Sequence, residues 1–402
     1  MKDFSHLLSD VSKSACASEI RELLKIIGQK GMISFAGGLP APDLFPAEEI
    51  GALAQKAITE NPNKALQYGS TEGSDDLRRE LIKLIKQEEG IDVTLDELLV
   101  ISASQQGLDL AGKAFINKGD AVLVGMPTYL GALQAFETYF ADIIGVESDD
   151  YGMKPEAIEQ KLEELKRQGR QCKFIYIVPD FQNPTGTTIP TQRRIEILEL
   201  AKKYGTLILE DSPYRKVRFS GEHQETFYSL DKGEGNVLTM FTFSKTLVPG
   251  FRLGYVIGDK FIIRKFAILK QSMDLCTSPT CQALAEAYLK TGKLEEHIRQ
   301  MTEVYGKKRE AMLKALEVYM PQGVTWTKPE GGLFLFVVLP EHIDARKLLD
   351  TAIKNNVAYV TGSAFYPDKS GKNTLRLNFS YSSFADIDEG IKRLAKAVRE
   401  YK

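Results

Sequence analysis

Short apolar runs alternate with amphipathic stretches from about residue 98 onward, and this alternation constrains the fold more than any other feature. The apolar runs have strand length and occupy residues 98–102, 121–126, 173–178, 206–210, 237–241 and 255–257. Stretches with helical spacing lie between many of them, at residues 106–117, 128–139, 155–168 and 191–204. Near-continuous apolar strands separated by helices are typical of a parallel sheet that is covered on both faces. The sequence therefore predicts an α/β fold with a mostly parallel sheet flanked by helices, and the closeness of the last two runs predicts one antiparallel strand at an edge.

The flanking regions complete this organisation. Residues 62–69 are loop-like and lead into a helical stretch that ends near residue 86. Helical runs at 260–289 and 294–319 precede a mixed pattern of strands and helices at residues 331–339, 345–355, 357–360, 374–379 and 385–401. The C-terminal pattern predicts a smaller α+β domain. We predict an N-terminal segment at 1–47, a large domain at 48–294 and a small domain at 295–402.

Composition excludes several classes of protein. The chain has 402 residues, 43% of them hydrophobic, which is enough for a large core. Its formal net charge of −2 indicates no basic surface for nucleic acid. The N-terminus is too polar for a secretory signal, and no apolar run approaches the length that spans a membrane. Four cysteines without CxxC spacing and four scattered histidines predict a reduced, cytoplasmic protein with no metal site.

Lys245 is the first residue that suggests specific chemistry. It lies in Thr-Phe-Ser-Lys-Thr, directly after an apolar run, and Arg252 follows seven residues later. The hydroxyls of Thr242 and Ser244, together with the arginine, can bind a phosphate, while the lysine amine can hold an aldehyde as a Schiff base. Most lysines after strands are solvated surface charges, so this pattern alone leaves both interpretations open.

Two further motifs lie where strands give way to helices. In Ser-Gln-Gln, Ser104 is a good N-cap, and a helix that begins there presents free N–H groups at Gln105 to an anion. A cap without a ligand is the alternative. Tyr129 follows Met-Pro-Thr at the next strand end, where its ring can stack on a flat ligand or pack in the core.

The remaining candidates also follow predicted strands or lie within one. Asn183 in Asn-Pro-Thr-Gly can donate to a phenolate oxygen, although the motif is first of all a turn signal. Asp211 in Asp-Ser-Pro-Tyr can pair with a protonated pyridine nitrogen or cap a loop, and Tyr214 lies three residues on. Arg376 lies inside an apolar strand, where it needs either a carboxylate ligand or an internal salt bridge.

Nearly all of these residues fall at carboxyl ends of predicted strands, where open α/β sheets bind ligands. Their ordered motifs, Ser-Gln-Gln, Asn-Pro-Thr-Gly, Asp-x-Pro-Tyr, Ser-Lys with a following Arg, and Leu-Arg-Leu, resemble those of fold-type I pyridoxal-phosphate enzymes, in particular the class I/II aminotransferases. The resemblance runs from about Ile20 to the C-terminus. Residues 18–25 and 33–46 resemble the 2-aminoadipate/kynurenine branch, which also contains aromatic and broad-specificity enzymes.

The resemblance implies a pyridoxal 5'-phosphate cofactor, an aspartate-aminotransferase-like fold and a role for each motif. Lys245 would form the Schiff base with the cofactor. The other cofactor-binding residues would contact its phosphate, its ring or its phenolic oxygen: Ser104, Gln105, Thr242, Ser244, Arg252, Tyr129, Asp211, Asn183 and Tyr214. Arg376 would bind the substrate α-carboxylate, with Gly38 and Asn183 close to the substrate. Arg21 and Ser18 would lie over the substrate side chain, and Tyr68 would reach the phosphate of a second subunit in a homodimer.

Three departures from the family pattern concern pocket detail. Ala103 stands where glycine is usual before Ser-Gln, Thr242 replaces a frequent serine, and Thr361-Gly-Ser-Ala-Phe lacks a proline that often precedes its glycine. None of them removes a group that the chemistry needs.

The expected activity is amino transfer between an amino acid and a 2-oxo acid such as 2-oxoglutarate, with ping-pong kinetics. Candidate donors are 2-aminoadipate, glutamate, and aromatic or aliphatic amino acids. A β-lyase or decarboxylase on the same fold is the main alternative, because these reactions share a carbanion. A non-enzymatic sensor domain is a weaker alternative, since about 30 residues before Ile33 are too few for the DNA-binding domain that accompanies such sensors.

Overall fold

A computed structural model describes residues 3–14 and 31–401. The strands within these residues, numbered in chain order, are β1 Ile33–Ser34, β2 Leu98–Ile101, β3 Ala121–Met126, β4 Asp142–Asp149, β5 Gly152–Met153, β6 Cys172–Ile177, β7 Leu207–Asp211, β8 Val237–Thr242, β9 Gly254–Ile257, β10 Thr325–Trp326, β11 Phe334–Val338, β12 Val357–Ala358, β13 Val360–Thr361 and β14 Thr374–Asn378. The α-helices are Asp10–Ser14, Ala47–Glu60, Pro62–Leu66, Asp75–Glu89, Ala103–Phe115, Leu130–Glu137, Pro155–Arg167, Thr191–Tyr204, Phe227–Asp231, Lys260–Gln271, Pro279–Lys290, Leu294–Tyr319, Ala345–Lys354 and Phe384–Glu400. None of these helices is long and apolar enough to cross a membrane.

The large sheet has eight strands in the order β2-β9-β8-β7-β6-β3-β4-β5. Strands β8, β7, β6, β3 and β4 pair in parallel, which confirms the predicted mostly parallel sheet. Strand β9 is antiparallel to β8, as the short connection between them predicts. Its predicted edge position is wrong, because β2 pairs outside it from Leu98↔Ile257 to Ile101↔Gly254.

Alternate side chains of the central strands pack into cores on opposite faces of the sheet. On β6, Phe174 and Tyr176 join one buried cluster, whereas Ile175 and Ile177 join the other. Each fully buried side chain of this size contributes about 1.5–3 kcal/mol. The two cores hold the parallel strands in register, so their carboxyl ends meet along one edge of the sheet.

Three local predictions need correction. The structure adds β4, whose half-buried residues and acidic ends hid its strand pattern. The loop-like stretch at 62–69 contains the helix Pro62–Leu66, with proline at its start. The predicted helical run at 260–289 is two helices, because residues 272–278 leave the helix and Asp274 accepts hydrogen bonds from Ser102 and Gln106.

The C-terminal region forms the predicted α+β unit. Its antiparallel sheet has the order β10-β11-β14-β13, and β1 from the N-terminal side pairs in parallel with β12. The small domain and the large parallel sheet together confirm the aspartate-aminotransferase-like architecture that the motifs predicted. The bounds 1–47, 48–294 and 295–402 stay predictions.

Ala103 occupies a backbone conformation that normally requires glycine. Its φ is 61°, and it begins the helix Ala103–Phe115. A non-glycine residue in the left-handed region costs about 1–2 kcal/mol. Ala103→Gly should therefore raise the free energy of unfolding by about 1 kcal/mol, measured by chemical denaturation.

The matched control is an alanine inside an ordinary helix. Ala157 lies in Pro155–Arg167, where a change to glycine should lower the free energy of unfolding by about 0.5–1 kcal/mol. A loss of stability in both variants would contradict the strain assigned to Ala103.

Candidate active site

Lys245 lies just beyond the end of β8, and its Nζ donates a hydrogen bond to the Gly38 carbonyl at 2.7 Å. The lysine therefore touches the segment that follows β1. Gly38 in turn lies close to the Phe334 ring of β11, since a Cβ atom built at this position would be 3.4 Å from the ring. Segments far apart in the sequence thus meet near the amine.

Two hydroxyls and an arginine lie next to this lysine in the chain. Thr242 Oγ1 and Ser244 Oγ are 3.0 Å apart, and the Ser244 N–H donates to Thr242 Oγ1 at 3.1 Å. Arg252 Nη1 donates to Ser244 Oγ at 3.3 Å. The φ of 45° at Arg252 turns the chain sharply enough to bring the guanidinium back to the hydroxyl. This cluster of donors with one exposed cation suits an anionic group such as phosphate.

The start of the helix Ala103–Phe115 faces the same region. Ser102 is its N-cap, so the prediction that Ser104 caps the helix is wrong. Ser104 Oγ is buried without a hydrogen-bond partner. Gln105 Nε2 donates to the Gly131 carbonyl at 3.1 Å. A cavity of about 570 Å³ has Gln105 and Arg252 among its lining residues.

Asp211 is the last residue of β7 and is 2% exposed. Tyr176 on the neighbouring strand β6 donates its hydroxyl hydrogen to Asp211 Oδ2 at 3.0 Å. The other oxygen, Oδ1, is buried and has no hydrogen-bond partner. Burial raises the pKa of this carboxyl to about 6, because a charged carboxylate is poorly solvated there. A cationic N–H donor at Oδ1 would stabilise the ionised form.

Arg376 on β14 is 1% exposed. Its Nη1 donates to Asn183 Oδ1 at 2.8 Å and its Nη2 donates to the Ala36 carbonyl at 2.7 Å. The guanidinium carbon lies 4.2 Å from the centre of the Phe334 ring and 5.2 Å from that of Phe365. Burial lowers the pKa of Arg376 to about 10. Among the described residues Arg376 forms no salt bridge with a carboxylate, and the negative groups that act on its pKa are the phenols of Tyr214 and Tyr129.

The two predicted aromatic contacts lie beside these residues. Tyr214 is 5% exposed, and its ring meets Phe334 edge-on with ring centres 5.8 Å apart. Asn183, which is 3% exposed, lies close enough to the Tyr214 phenol to oppose the rise that burial causes in its pKa. Tyr129 is half-buried at the start of the helix Leu130–Glu137, and burial and the Asp211 charge raise its pKa. The structure therefore gathers an amine, a carboxylate, an amide, a guanidinium and two phenols at one sheet edge.

The family Aminotransferase class I and II matches residues 40–394, which include nearly all of this cluster. The chain belongs to this family. It is a pyridoxal-phosphate-dependent aminotransferase, as its motifs predicted.

Three relatives illustrate the similarity of this aminotransferase to proteins of known activity. Aromatic-amino-acid aminotransferase 1 of Thermococcus litoralis is 45% identical over 398 residues, covering 99% of this chain and 95% of the relative. The crystal structure of Pyrococcus horikoshii kynurenine aminotransferase in complex with PMP, KYN and KYA is 48% identical, with a TM-score of 0.95 over 99% of this chain and 98% of that one. The structure of LysN, the alpha-aminoadipate aminotransferase of Thermus thermophilus, complexed with N-(5'-phosphopyridoxyl)-L-leucine, is 35% identical, with a TM-score of 0.92 over 99% of each chain.

The residues of this aminotransferase fit pyridoxal phosphate. Asp211 Oδ1 and Ser104 Oγ are buried polar atoms without partners, and such atoms are costly unless a ligand satisfies them. The carboxylate suits a pyridinium N–H, and the hydroxyl cluster with Arg252 suits the phosphate. The Lys245 amine suits the aldehyde, since its neighbour is a backbone carbonyl and not a competing carboxylate.

One predicted site residue of the aminotransferase, Tyr68, makes none of the contacts of this cluster and is 79% exposed, so its role in a second subunit stays a prediction. Arg21 and Ser18 lie outside the described residues, so their predicted roles stay predictions.

Sequence reasoning missed Tyr176, Phe334 and Phe365. Tyr176 and Phe334 lie in apolar strands, where an aromatic residue is usually part of the core, and Phe365 ends the short 3-10 helix Gly362–Phe365. The alternation along β6 is the one sequence signal that Tyr176 shares a face with Phe174.

The pKa of Lys245 is lowered to about 8, first by burial and then by the positive charges of Arg376 and Arg252. The neutral amine is the nucleophile, so an acylating reagent should modify Lys245 at a rate that rises through pH 8, whereas exposed lysines respond near about 10.4. Because the folded chain releases this proton before the unfolded chain does, the contribution of Lys245 to the free energy of unfolding should increase from about pH 8 towards 10.5. Peptide mapping after labelling at several pH values measures the first effect. Arg252→Met should shift the midpoint upward, and an unchanged midpoint would contradict the electrostatic cause.

Proposed function

We propose that this aminotransferase moves an α-amino group from an amino acid to a 2-oxo acid such as 2-oxoglutarate by a ping-pong reaction at the sheet-edge cluster. The observation that carries the proposal is Arg376, which is buried without a carboxylate partner among the described residues yet contacts Asn183 beside the Lys245 and Asp211 region. A buried guanidinium with an unpartnered Nε is suited to a ligand carboxylate. The family assignment favours transamination over the β-lyase, decarboxylase and sensor alternatives.

Each side chain has a distinct part in this proposal. Pyridoxal phosphate, when bound, supplies an electron sink that stabilises negative charge at the substrate α-carbon. Lys245 acts as the nucleophile toward the aldehyde and later moves the α-proton as a general base. Its lowered pKa supports this part, because a larger fraction of the amine is neutral near pH 8. Asp211 would keep the pyridine nitrogen protonated by accepting a hydrogen bond from its N–H group.

The remaining residues bind and orient. Arg376 fixes the substrate α-carboxylate, and Asn183 accepts a hydrogen bond from that guanidinium and lies near the Tyr214 phenol. The other proposed contacts hold the phosphate and the ring: Ser104, Gln105, Thr242, Ser244, Arg252 and Tyr129. Gly38 provides the backbone next to the substrate, and its carbonyl accepts a hydrogen bond from the free Lys245 amine.

We propose 2-aminoadipate, glutamate, and aromatic or aliphatic amino acids as the donor class. The relatives support this range, since they are aromatic, kynurenine and alpha-aminoadipate aminotransferases, and the last is complexed with a leucine adduct. Arg21 is proposed to contact a distal carboxylate. Arg21→Ala should lower kcat/KM for 2-aminoadipate while sparing phenylalanine.

The test is the near-visible absorption of the holoenzyme during each half-reaction. Adding an amino donor should convert the yellow band to the pyridoxamine form, and 2-oxoglutarate should restore it. A band that no amino acid in a panel of acidic, aromatic and aliphatic donors changes would overturn the proposed transfer.

We propose a homodimer in which Tyr68 contacts the phosphate in the second subunit. Tyr68 and Leu66 are 79% and 61% exposed, and this aromatic and aliphatic pair favours a covered surface. Sedimentation of the holoenzyme tests the proposal, and a monomer at micromolar concentration would refute it. We further propose a cytoplasmic location, which the unpaired cysteines Cys172, Cys276 and Cys281 support.

A further inference from the structure

Tyr176 is a fully buried tyrosine whose hydroxyl points at the site and not at water. It lies on β6, opposite Val124 of β3 and Leu209 of β7, and its exposed fraction is 0%. The Phe136 ring packs against it edge-on, with ring centres 5.7 Å apart. Strands on both sides and an aromatic neighbour leave the phenol ring little freedom to turn.

The hydroxyl of Tyr176 donates to one acceptor, Asp211 Oδ2 at 3.0 Å. The Ser104 hydroxyl lies near enough to help lower the pKa of Asp211, but it forms no hydrogen bond of normal length and angle with the carboxylate. Within residues 3–14 and 31–401, no cation is paired with this carboxylate, and the nearby Glu210 is itself a carboxyl group. The orientation of the Asp211 carboxylate therefore depends chiefly on Tyr176.

An aspartate carboxylate turns easily about its last side-chain bond, because that torsion has broad minima. A donor that hydrogen-bonds one oxygen restricts this rotation and leaves the other oxygen available to a ligand. The donor also stabilises the charged form of the carboxylate, in opposition to the effect of burial. These are the properties that a partner of a pyridinium N–H needs.

We propose that Tyr176 is a positioning residue for the cofactor: it holds Asp211 Oδ2 so that Oδ1 is available to the pyridine nitrogen. This inference rests on the proposed function, in which Asp211 is the partner of that nitrogen. Tyr176 itself acts only through Asp211. The contribution of Tyr176 to cofactor binding should therefore disappear when either the Asp211 carboxylate or the ring nitrogen of the cofactor is removed.

The experiment measures dissociation constants of two ligands with the full-length chain freed of cofactor. One ligand is pyridoxal phosphate, and the other is its 1-deaza analogue, in which a C–H group replaces the ring nitrogen. Tyr176→Phe should weaken binding of pyridoxal phosphate about 10-fold, in line with one lost hydrogen bond to a charged group. The dissociation constant of the analogue from Tyr176→Phe should stay within about twofold of its value for the wild-type chain, since the C–H group of the analogue makes no strong hydrogen bond with Asp211. In an Asp211→Asn background, Tyr176→Phe should have no further effect on either ligand.

Tyr359→Phe is the matched control. Tyr359 is also 0% exposed and also donates its hydroxyl hydrogen to one acceptor, the Ala345 carbonyl at 2.7 Å, within the C-terminal α+β unit. This variant should bind both ligands as wild type does.

Two results would overturn the proposal and have different meanings. Equal weakening of both ligands by Tyr176→Phe would show a general packing role for Tyr176. A wild-type chain that binds both ligands equally would refute the part assigned to Asp211 in the proposed function. The comparison of Tyr176→Phe with wild type tests the role of Tyr176. The comparison of the two ligands on the wild-type chain tests the role of Asp211.

Discussion

Lys245→Ala is expected to abolish amino transfer while the chain still binds pyridoxal phosphate. The amine has two parts in the proposed reaction, as nucleophile toward the aldehyde and as base for the α-proton. Loss of general acid–base catalysis alone should lower kcat by about 10²–10⁴-fold. Binding should persist, because the residues proposed to contact the phosphate and the ring, Ser244, Arg252 and Asp211, are unchanged. Single-turnover absorption and a cofactor-binding titration measure the two quantities separately.

Borohydride reduction adds a direct readout of the covalent link. Reduced wild-type chain should carry the cofactor on the peptide that contains Lys245, and Lys245→Ala should carry none. Lys314→Ala is the control, since Lys314 is exposed on the helix Leu294–Tyr319 away from the cluster. Near-normal turnover in Lys245→Ala would contradict the catalytic role proposed for Lys245.

Arg376→Lys is expected to lower kcat/KM for amino acids by at least about 10²-fold. Lysine keeps the positive charge but loses the planar fork that binds a carboxylate through two parallel hydrogen bonds. The change also leaves Asn183 Oδ1 or the Ala36 carbonyl without a donor in a buried place. Breaking a buried, hydrogen-bonded charge contact typically costs about 2–5 kcal/mol, which accounts for the expected size.

A comparison of substrates isolates the carboxylate contact. Wild-type enzyme should strongly prefer phenylalanine to phenethylamine, which lacks the carboxylate, and Arg376→Lys should lose most of that preference. Arg309→Lys is the matched control, because Arg309 also lies over a phenylalanine ring, at 5.6 Å from Phe219, and donates to a backbone carbonyl. An undiminished preference in Arg376→Lys would place the carboxylate elsewhere.

The sequence singled out residues that the structure brings together wherever chemistry is tied to position along the strand pattern. Lys245, Asp211 and Asn183 each follow or end an apolar run, and the carboxyl ends of parallel strands must meet at one edge of the sheet. Arg376 could be singled out since a guanidinium inside an apolar strand needs a partner. These inferences required only hydrophobic periodicity and the known preferences of side-chain groups.

Sequence reasoning failed where distant segments decide a local outcome. The break of the predicted helical run at residues 272–278 accompanies hydrogen bonds from Ser102 and Gln106 to Asp274. The edge position of β2 depends on a pairing between segments more than 150 residues apart. Local propensity contains no information about such contacts.

The sequence by itself determined the fold class, the family and the chemical groups of the candidate site. Strand–helix alternation and ordered motifs are local patterns that can be identified without knowledge of tertiary contacts. The tertiary structure alone decided which groups touch: Lys245 with Gly38, Arg376 with Asn183, and Tyr176 with Asp211. Each of these contacts joins residues from different elements that are distant in sequence, so local sequence patterns do not specify it. Tyr176 shows the difference most clearly, since its neighbours in sequence mark it as core and only its hydrogen bond connects it to Asp211.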